Sequence, residues 1–136
     1  MNTETNKTIV TRYNKEVIQR CKVELLKSLV SPDFVNHSAP PGMPEGLDGL
    51  VYFFKEILHH AFSNITVDIK DMLAEGDKVV TRKEITGIHT GTLMGIPATG
   101  QTVTLKVIDI LAIREGKISD HWGENNLIGV LQSLSH

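Results

Sequence analysis

The spacing of apolar positions changes once along the chain, and the change divides it into a helical part and a sheet part. In the first part Ile9, Val10, Tyr13, Val17 and Ile18 recur at spacings of three and four. That period predicts an amphipathic helix, with Thr3 or Thr5 as its cap. Leu25, Leu26 and Leu29 predict a second short helix from Glu24 to Leu29, which stops before Pro32. Pro40, Pro41, Gly42, Pro44 and Gly46 then crowd a stretch that can be neither helix nor central strand. A third helix is predicted from Leu47 to Phe62, burying Leu50, Phe53, Phe54, Ile57, Leu58 and Ala61.

After Asn64 the period becomes two and β-branched residues dominate. Ile65 to Leu73 reads as a strand, Glu75-Gly76-Asp77 as a tight turn, and Lys78 to His89 as the antiparallel partner. A loop rich in glycine, Thr90 to Gly100, leads to a long strand from Gln101 to Ile113. Arg114-Glu115-Gly116-Lys117 signals another hairpin, Ile118 to Asn126 the last strand, and Leu127 to Leu134 a closing helical turn or two. Helices first and an antiparallel sheet second is the α+β pattern.

Composition narrows the chemistry. The chain has 136 residues, 40% apolar and 22% charged, which suits one soluble domain spanning 1–136 with a core and a modest pocket. Fourteen basic against sixteen acidic residues give a net charge of −2, so no basic field recruits nucleic acid. The one cysteine, Cys21, excludes an internal disulfide and any cysteine-clustered metal site. No apolar run is long enough to span a bilayer, and the polar start (MNTETNKT) predicts a cytoplasmic protein without a signal peptide or membrane partner. His59, His60 and His89 lack metal-ligand spacing, and phosphate-loop and nucleophile-elbow patterns are absent, so no metal is expected.

Several motifs, in their joint order, carry a resemblance over almost the whole chain. They are Ser31-Pro32-Asp33-Phe34-Val35-Asn36-His37, Gly87-Ile88-His89-Thr90-Gly91, and Leu93 to Gly100. The last are Ile108-Asp109-Ile110 and Gly116-Lys117-Ile118-Ser119-Asp120-His121-Trp122. Together they resemble the SnoaL-like polyketide cyclases, or ester cyclases, of the nuclear-transport-factor-type cone fold. The resemblance implies a cone-shaped, curved antiparallel sheet packed on three N-terminal helices (an α+β barrel type). It also implies an apolar pocket for a small-molecule ligand, and commonly a homodimer through the sheet. The implied chemistry is an intramolecular aldol condensation of a polyketide ester, without metal or cofactor. In that family an Asp two residues after the His of the last strand is the general acid/base; the matching position here is Gly123. A His that assists from the preceding strand falls at Asp109. Fold carries over more safely than activity.

The residues themselves nominate Asp109 and His121 as a catalytic pair. Asp109 interrupts the apolar run Val107 to Leu111, and a charge there must be compensated. If the terminal hairpin closes with a three-residue loop, Asp109 faces His121 and Val107 faces Gly123; a strict two-residue turn sets Asp109 against Trp122 instead. A carboxylate beside an imidazole would fix one ring tautomer and leave the other nitrogen to take a substrate proton. On this reading, replacing either residue with Asn abolishes turnover and leaves the melting temperature nearly unchanged. Asn36, His37, Tyr13, Trp122 and Glu124 are the candidate substrate-binding residues, with Glu124 turned inward only by a bulge at Gly123. Two other readings stay open: a non-catalytic binding protein on the same fold, and a limonene-type epoxide hydrolase, for which Arg82 is the evident arginine.

Overall fold

The computed structural model describes residues 2–135, so the first and last residues of the expected 1–136 domain lie outside the described residues. Helix α1, Thr3–Arg12, is capped by the Asn2 carboxamide, which accepts from the Thr5 N–H at 2.7 Å, rather than by either threonine. The helix continues through a π-helical turn, Tyr13–Ile18, in which the Gln19 N–H reaches back five residues to the Asn14 carbonyl. A 3-10 turn, Val23–Leu25, leads into the single turn of α2, Leu26–Leu29. Helix α3, Leu47–Tyr52, runs on through a second π-helical stretch, Phe53–Leu58, and the last turn α4, His59–Ala61. Leu50, Phe54, Leu58 and Ala61 are buried as their period requires, while Phe53 and Ile57 are partly buried against the same core.

Five strands form one sheet in the order β1-β5-β4-β3-β2. They are β1 (Val30–Asn36), β2 (Phe62–Glu75), β3 (Lys78–His89), β4 (Thr102–Arg114) and β5 (Lys117–Asn125), and helix α5 (Leu127–Leu134) closes the chain. Four strands pair antiparallel as their period predicts, and the α+β architecture stands. Strand β1 is the addition, pairing parallel with β5 and making the sheet mixed. Pro32 masks it in the sequence, because a proline argues against a central strand. On an edge strand the missing N–H costs nothing in the ladder.

Alternation sorts the strands into two faces. Val79, Thr81, Lys83 and Ile85 of β3, with Leu105, Asp109, Leu111 and Ile113 of β4, are buried against the helices. Val10, Tyr13, Val17, Phe54 and Leu58 cover them from the helical side. The outer face keeps large apolar groups open, with Leu73, Ile108 and Trp122 at 68%, 53% and 37% exposure. No helix among the described residues is long and apolar enough to cross a membrane.

Candidate functional site

The terminal hairpin decides what meets Asp109. Arg114 pairs with Lys117 across a two-residue turn in which Glu115 and Gly116 both have positive φ, 53° and 77°. That left-handed pair matches the twist of the flanking strands, as in type I′ turns. The glycine adopts it freely, whereas Glu115 gives up roughly 1–2 kcal/mol of backbone preference. The register then slips once more, between Ile113–Ile118 and Ala112–Asp120, leaving Ser119 as an extra residue on β5. Asp109 therefore lies opposite Gly123, His121 opposite Leu111, and Val107 opposite Asn125. Both pairings expected from the sequence are corrected: Asp109 faces neither His121 nor Trp122.

The two side chains meet nonetheless, along a diagonal. The bulge at Ser119 turns His121 to the helix-facing side, two residues from the position opposite Asp109. Gly123 supplies the space. A Cβ there would lie 2.9 Å from both Cε1 and Nε2 of His121, so the imidazole occupies the place where a side chain would stand. Across this gap His121 Nε2 comes within 3.5 Å of Asp109 Oδ2.

A polar network surrounds the pair inside an otherwise apolar layer. The Thr81 hydroxyl donates to Asp109 Oδ1 at 2.9 Å, and the Lys83 ammonium donates to Oδ2 at 3.0 Å. The same ammonium donates to Asn14 Oδ1 at 2.7 Å, while the Asn14 amide donates back to the Val10 carbonyl at 2.9 Å. Burial pushes the Asp109 carboxyl up, but the Lys83 charge, the hydrogen bonds that Lys83 and the protonated His121 ring donate, and the charge of that ring outweigh it and hold the group at about 2. The Tyr13 phenol is raised, first by burial and then by the Asp109 charge, so it stays neutral.

On the far side of the ring, His121 Nδ1 sits 2.8 Å from Asn36 Oδ1. The backbone N–H of Ser38 donates to that same Asn36 atom at 3.0 Å, which identifies it as the oxygen. Nδ1 therefore carries a hydrogen and donates it to Asn36. Nε2, facing Asp109, is then the nitrogen left to exchange a proton, which reverses the arrangement expected from the sequence, where the nitrogen beside the carboxylate would hold the hydrogen and the other would react.

Of the expected site residues, Asp109, His121, Asn36 and Tyr13 come together. His37 does not join them; its Nε2 pairs with Asp120 Oδ2 at 2.8 Å and its ring stacks on Trp122, 4.6 Å between centroids. Trp122 lies opposite Ile110 and Glu124 opposite Ile108, both turned to the outer face by strand alternation. The Arg82 guanidinium is also outside, 2.6 Å from Asp71, and so cannot serve the epoxide-hydrolase arrangement. One cavity lies among Leu58, Phe62, Ile65, Ile85 and Val103 and is too narrow for a water molecule. Another is an open groove between Gln101–Thr104 and the α5 residues Val130 and Leu134. Neither is lined by Asp109 or His121, so the apolar pocket expected around the pair is not one of these. Lys83, Thr81 and Asn14 escaped the sequence reading. The signal was present: counted in twos from Val79, β3 places Thr81 and Lys83 on the face that Ile85 buries.

This geometry can be set beside known proteins. The sequence profile of the SnoaL-like polyketide cyclases matches residues 8–134. The chain belongs to that family. It is 27% identical over 128 residues to the aklanonic acid methyl ester cyclase DauD of Streptomyces sp. (strain C5), covering 93% of this chain and 76% of the relative. Among solved structures it is similar to TsrD from Streptomyces laurentii, with a TM-score of 0.86 at 22% identity over 98% and 97% of the two chains. A candidate polyketide cyclase from Bacillus cereus ATCC 10987 gives 0.83 at 27% identity, over 96% of this chain and 80% of that one. In this member of the SnoaL-like family a carboxylate and an imidazole share the helix-facing side of the sheet. The carboxylate stands on β4 at Asp109, and the facing position on β5 is Gly123.

Proposed function

We propose that this SnoaL-like protein is a cofactor-independent acid/base enzyme that enolises an apolar, carbonyl-bearing small molecule and closes a ring by intramolecular aldol addition. The observation that carries the reading is the 3.5 Å approach of His121 Nε2 to the buried Asp109 carboxylate, with Nδ1 committed to Asn36. In the neutral ring, Nε2 takes a proton from the carbon beside a carbonyl. The resulting enolate carbon attacks a second carbonyl carbon of the same molecule. A carbon–carbon bond forms, the carbonyl π pair moves to oxygen, and the alkoxide recovers the proton from Nε2. The sum is an isomerisation, and it consumes no co-reactant. Asp109 stabilises the imidazolium between the two transfers. Tyr13 and Phe54, in edge contact at 6.1 Å, supply apolar surface beside the polar network.

The relative DauD is a cyclase for aklanonic acid methyl ester. Neutral polyketide methyl esters of that kind are the substrate class we propose. The test is incubation of the full chain with a panel of such esters in deuterated buffer, reading deuterium gain beside the carbonyl and ring closure at unchanged mass. Exchange that is lost in His121→Ala supports the reading. Tight binding with neither exchange nor closure would leave a binding protein and defeat it.

A second copy on the outer face, where Ile108 and Trp122 stay exposed, is part of the proposal. Light scattering should find a dimer that Ile108→Arg splits, and a monomeric parent would remove this element. A cytosolic setting accords with the single unpaired cysteine, and cell fractionation tests it.

A further inference from the structure

Lys83 takes no part in the proton transfers above, yet it lies at the centre of the site. Its side chain is only 2% exposed, and an ammonium so buried costs several kcal/mol unless it is paired and hydrogen-bonded. It is both: Asp109 Oδ2 stands at 3.0 Å and Asn14 Oδ1 at 2.7 Å. Asn14 is itself fully buried and anchored to the Val10 carbonyl, so the ammonium is held from the helix and the sheet at once.

The consequence falls on Asp109. Its Oδ1 accepts from Thr81, and its Oδ2 accepts from Lys83 and faces His121. The titratable groups turned towards it are Lys83 from β3, His121 from β5 and Tyr13 from the first helix; Thr81 is a neutral donor. A general acid or base works best when it titrates near the working pH. A carboxylate with a buried ammonium and a hydroxyl donating to it is instead locked as the anion.

We propose that Lys83 is a positioning residue that makes Asp109 a fixed anion, so that the carboxylate orients and stabilises His121 and does not itself carry the proton. The division of labour rests on the acid/base reading above, whereas the coupling of Lys83 to Asp109 stands without it. The coupling is consistent with an Asp109 carboxyl held below the usual carboxylate range and so kept ionised.

The experiment is a titration of the Asp109 carboxyl by carbon NMR in the full chain without substrate, from about pH 3 to about pH 9. The parent should show no step in that range. Lys83→Met should move the midpoint upward by about 1–3 pH units, the usual effect of losing an adjacent opposite charge. A parent carboxyl that titrates near neutral pH overturns the proposal, as does a Lys83→Met midpoint that stays where the parent's is. If Lys83→Met does not fold, Lys83→Gln keeps a hydrogen-bond donor without the charge and is read in the same way. Absence of deuterium exchange on the ester panel bears on the acid/base reading alone, and the carboxyl titration is decided independently of it.

Discussion

His121 and Asp109 meet diagonally across Gly123, Nε2 to Oδ2 at 3.5 Å, because the residue directly opposite the carboxylate has no side chain. The imidazole lies over the glycine, with Cε1 and Nε2 each 2.9 Å from where a Cβ would be. A family in which this position carries an acid would have no room for the same ring placement. The glycine is thus what permits the pair to form.

Gly123→Ala should break the pair. The new methyl would stand 2.9 Å from Cε1 and Nε2, closer than real contacts allow, so the ring must shift away from its place beside Asp109. Deuterium exchange should fall by about 100-fold or more, the scale of a lost acid/base group. Stability should change by less than about 1 kcal/mol, because the ring swings towards solvent and a strand gains an alanine over glycine. A urea melt alongside the exchange assay checks both halves, and an active Gly123→Ala would contradict the geometry.

Asp109→Asn should do far more than remove activity. From the sequence alone the substitution looks thermally silent, but the structure sets a buried ammonium against this carboxylate. Losing one partner of a buried ion pair costs about 3–5 kcal/mol, because the other charge is stranded. The double variant Lys83→Met/Asp109→Asn should recover most of that loss while remaining inactive. Denaturant midpoints of the three proteins test it, and a double variant no more stable than Asp109→Asn would argue against the pairing.

Much of this fold can be read from periodicity, and much of the site cannot. The helices and β2 to β5 follow from spacings of three and four or of two, because each buries one face. Strand β1 is hidden by Pro32, whose missing N–H is harmless only at a sheet edge, and edge position is a property of the tertiary fold. The hairpin register depends on Glu115 adopting a left-handed conformation that its residue type does not advertise, and on a bulge at Ser119 with no local signal. Two successive one-residue shifts move Asp109 from opposite His121 to opposite Gly123. The pair survives since both residues remain on one face within diagonal reach. Asp109 stood out as a charge inside a continuous apolar run, whereas Lys83 was legible only by alternation along β3, as an inward charge in an inward apolar row.

Acid should destabilise the protein in a window set by Asp109. Its folded ionisation, at about 2, lies below the ordinary carboxylate value of 3.8, so the folded state favours the anion. The contribution is fully present above the unfolded value and is lost as pH falls towards the folded one. It amounts to about 2 kcal/mol, from 1.36 kcal/mol per pH unit. Urea unfolding from about pH 5 down to about pH 2 should show this loss in the parent. The double variant Lys83→Met/Asp109→Asn should show a correspondingly flatter profile, and parallel profiles would count against a depressed Asp109.

In the proposed reaction Asn36 sets which imidazole nitrogen is reactive, and its substitution should separate tautomer control from proton transfer. Its oxygen accepts from both Ser38 N–H and His121 Nδ1–H, so the neutral ring keeps Nε2 bare towards Asp109. With Asn36→Leu the Nδ1–H loses its acceptor, and the neutral ring can place its hydrogen on Nε2, where it donates to the carboxylate. That tautomer is the wrong one for accepting a substrate proton at Nε2. Exchange should therefore drop by about 10- to 100-fold although His121 and Asp109 are both present. Nitrogen NMR of the ring should show Nδ1 protonated in the parent and the hydrogen shifted to Nε2 in Asn36→Leu. Asn36→Asp, which retains an acceptor at Nδ1, should keep the parent tautomer. A parent ring protonated only at Nε2 would overturn the assignment, since Asn36 would then have no hydrogen to accept from Nδ1.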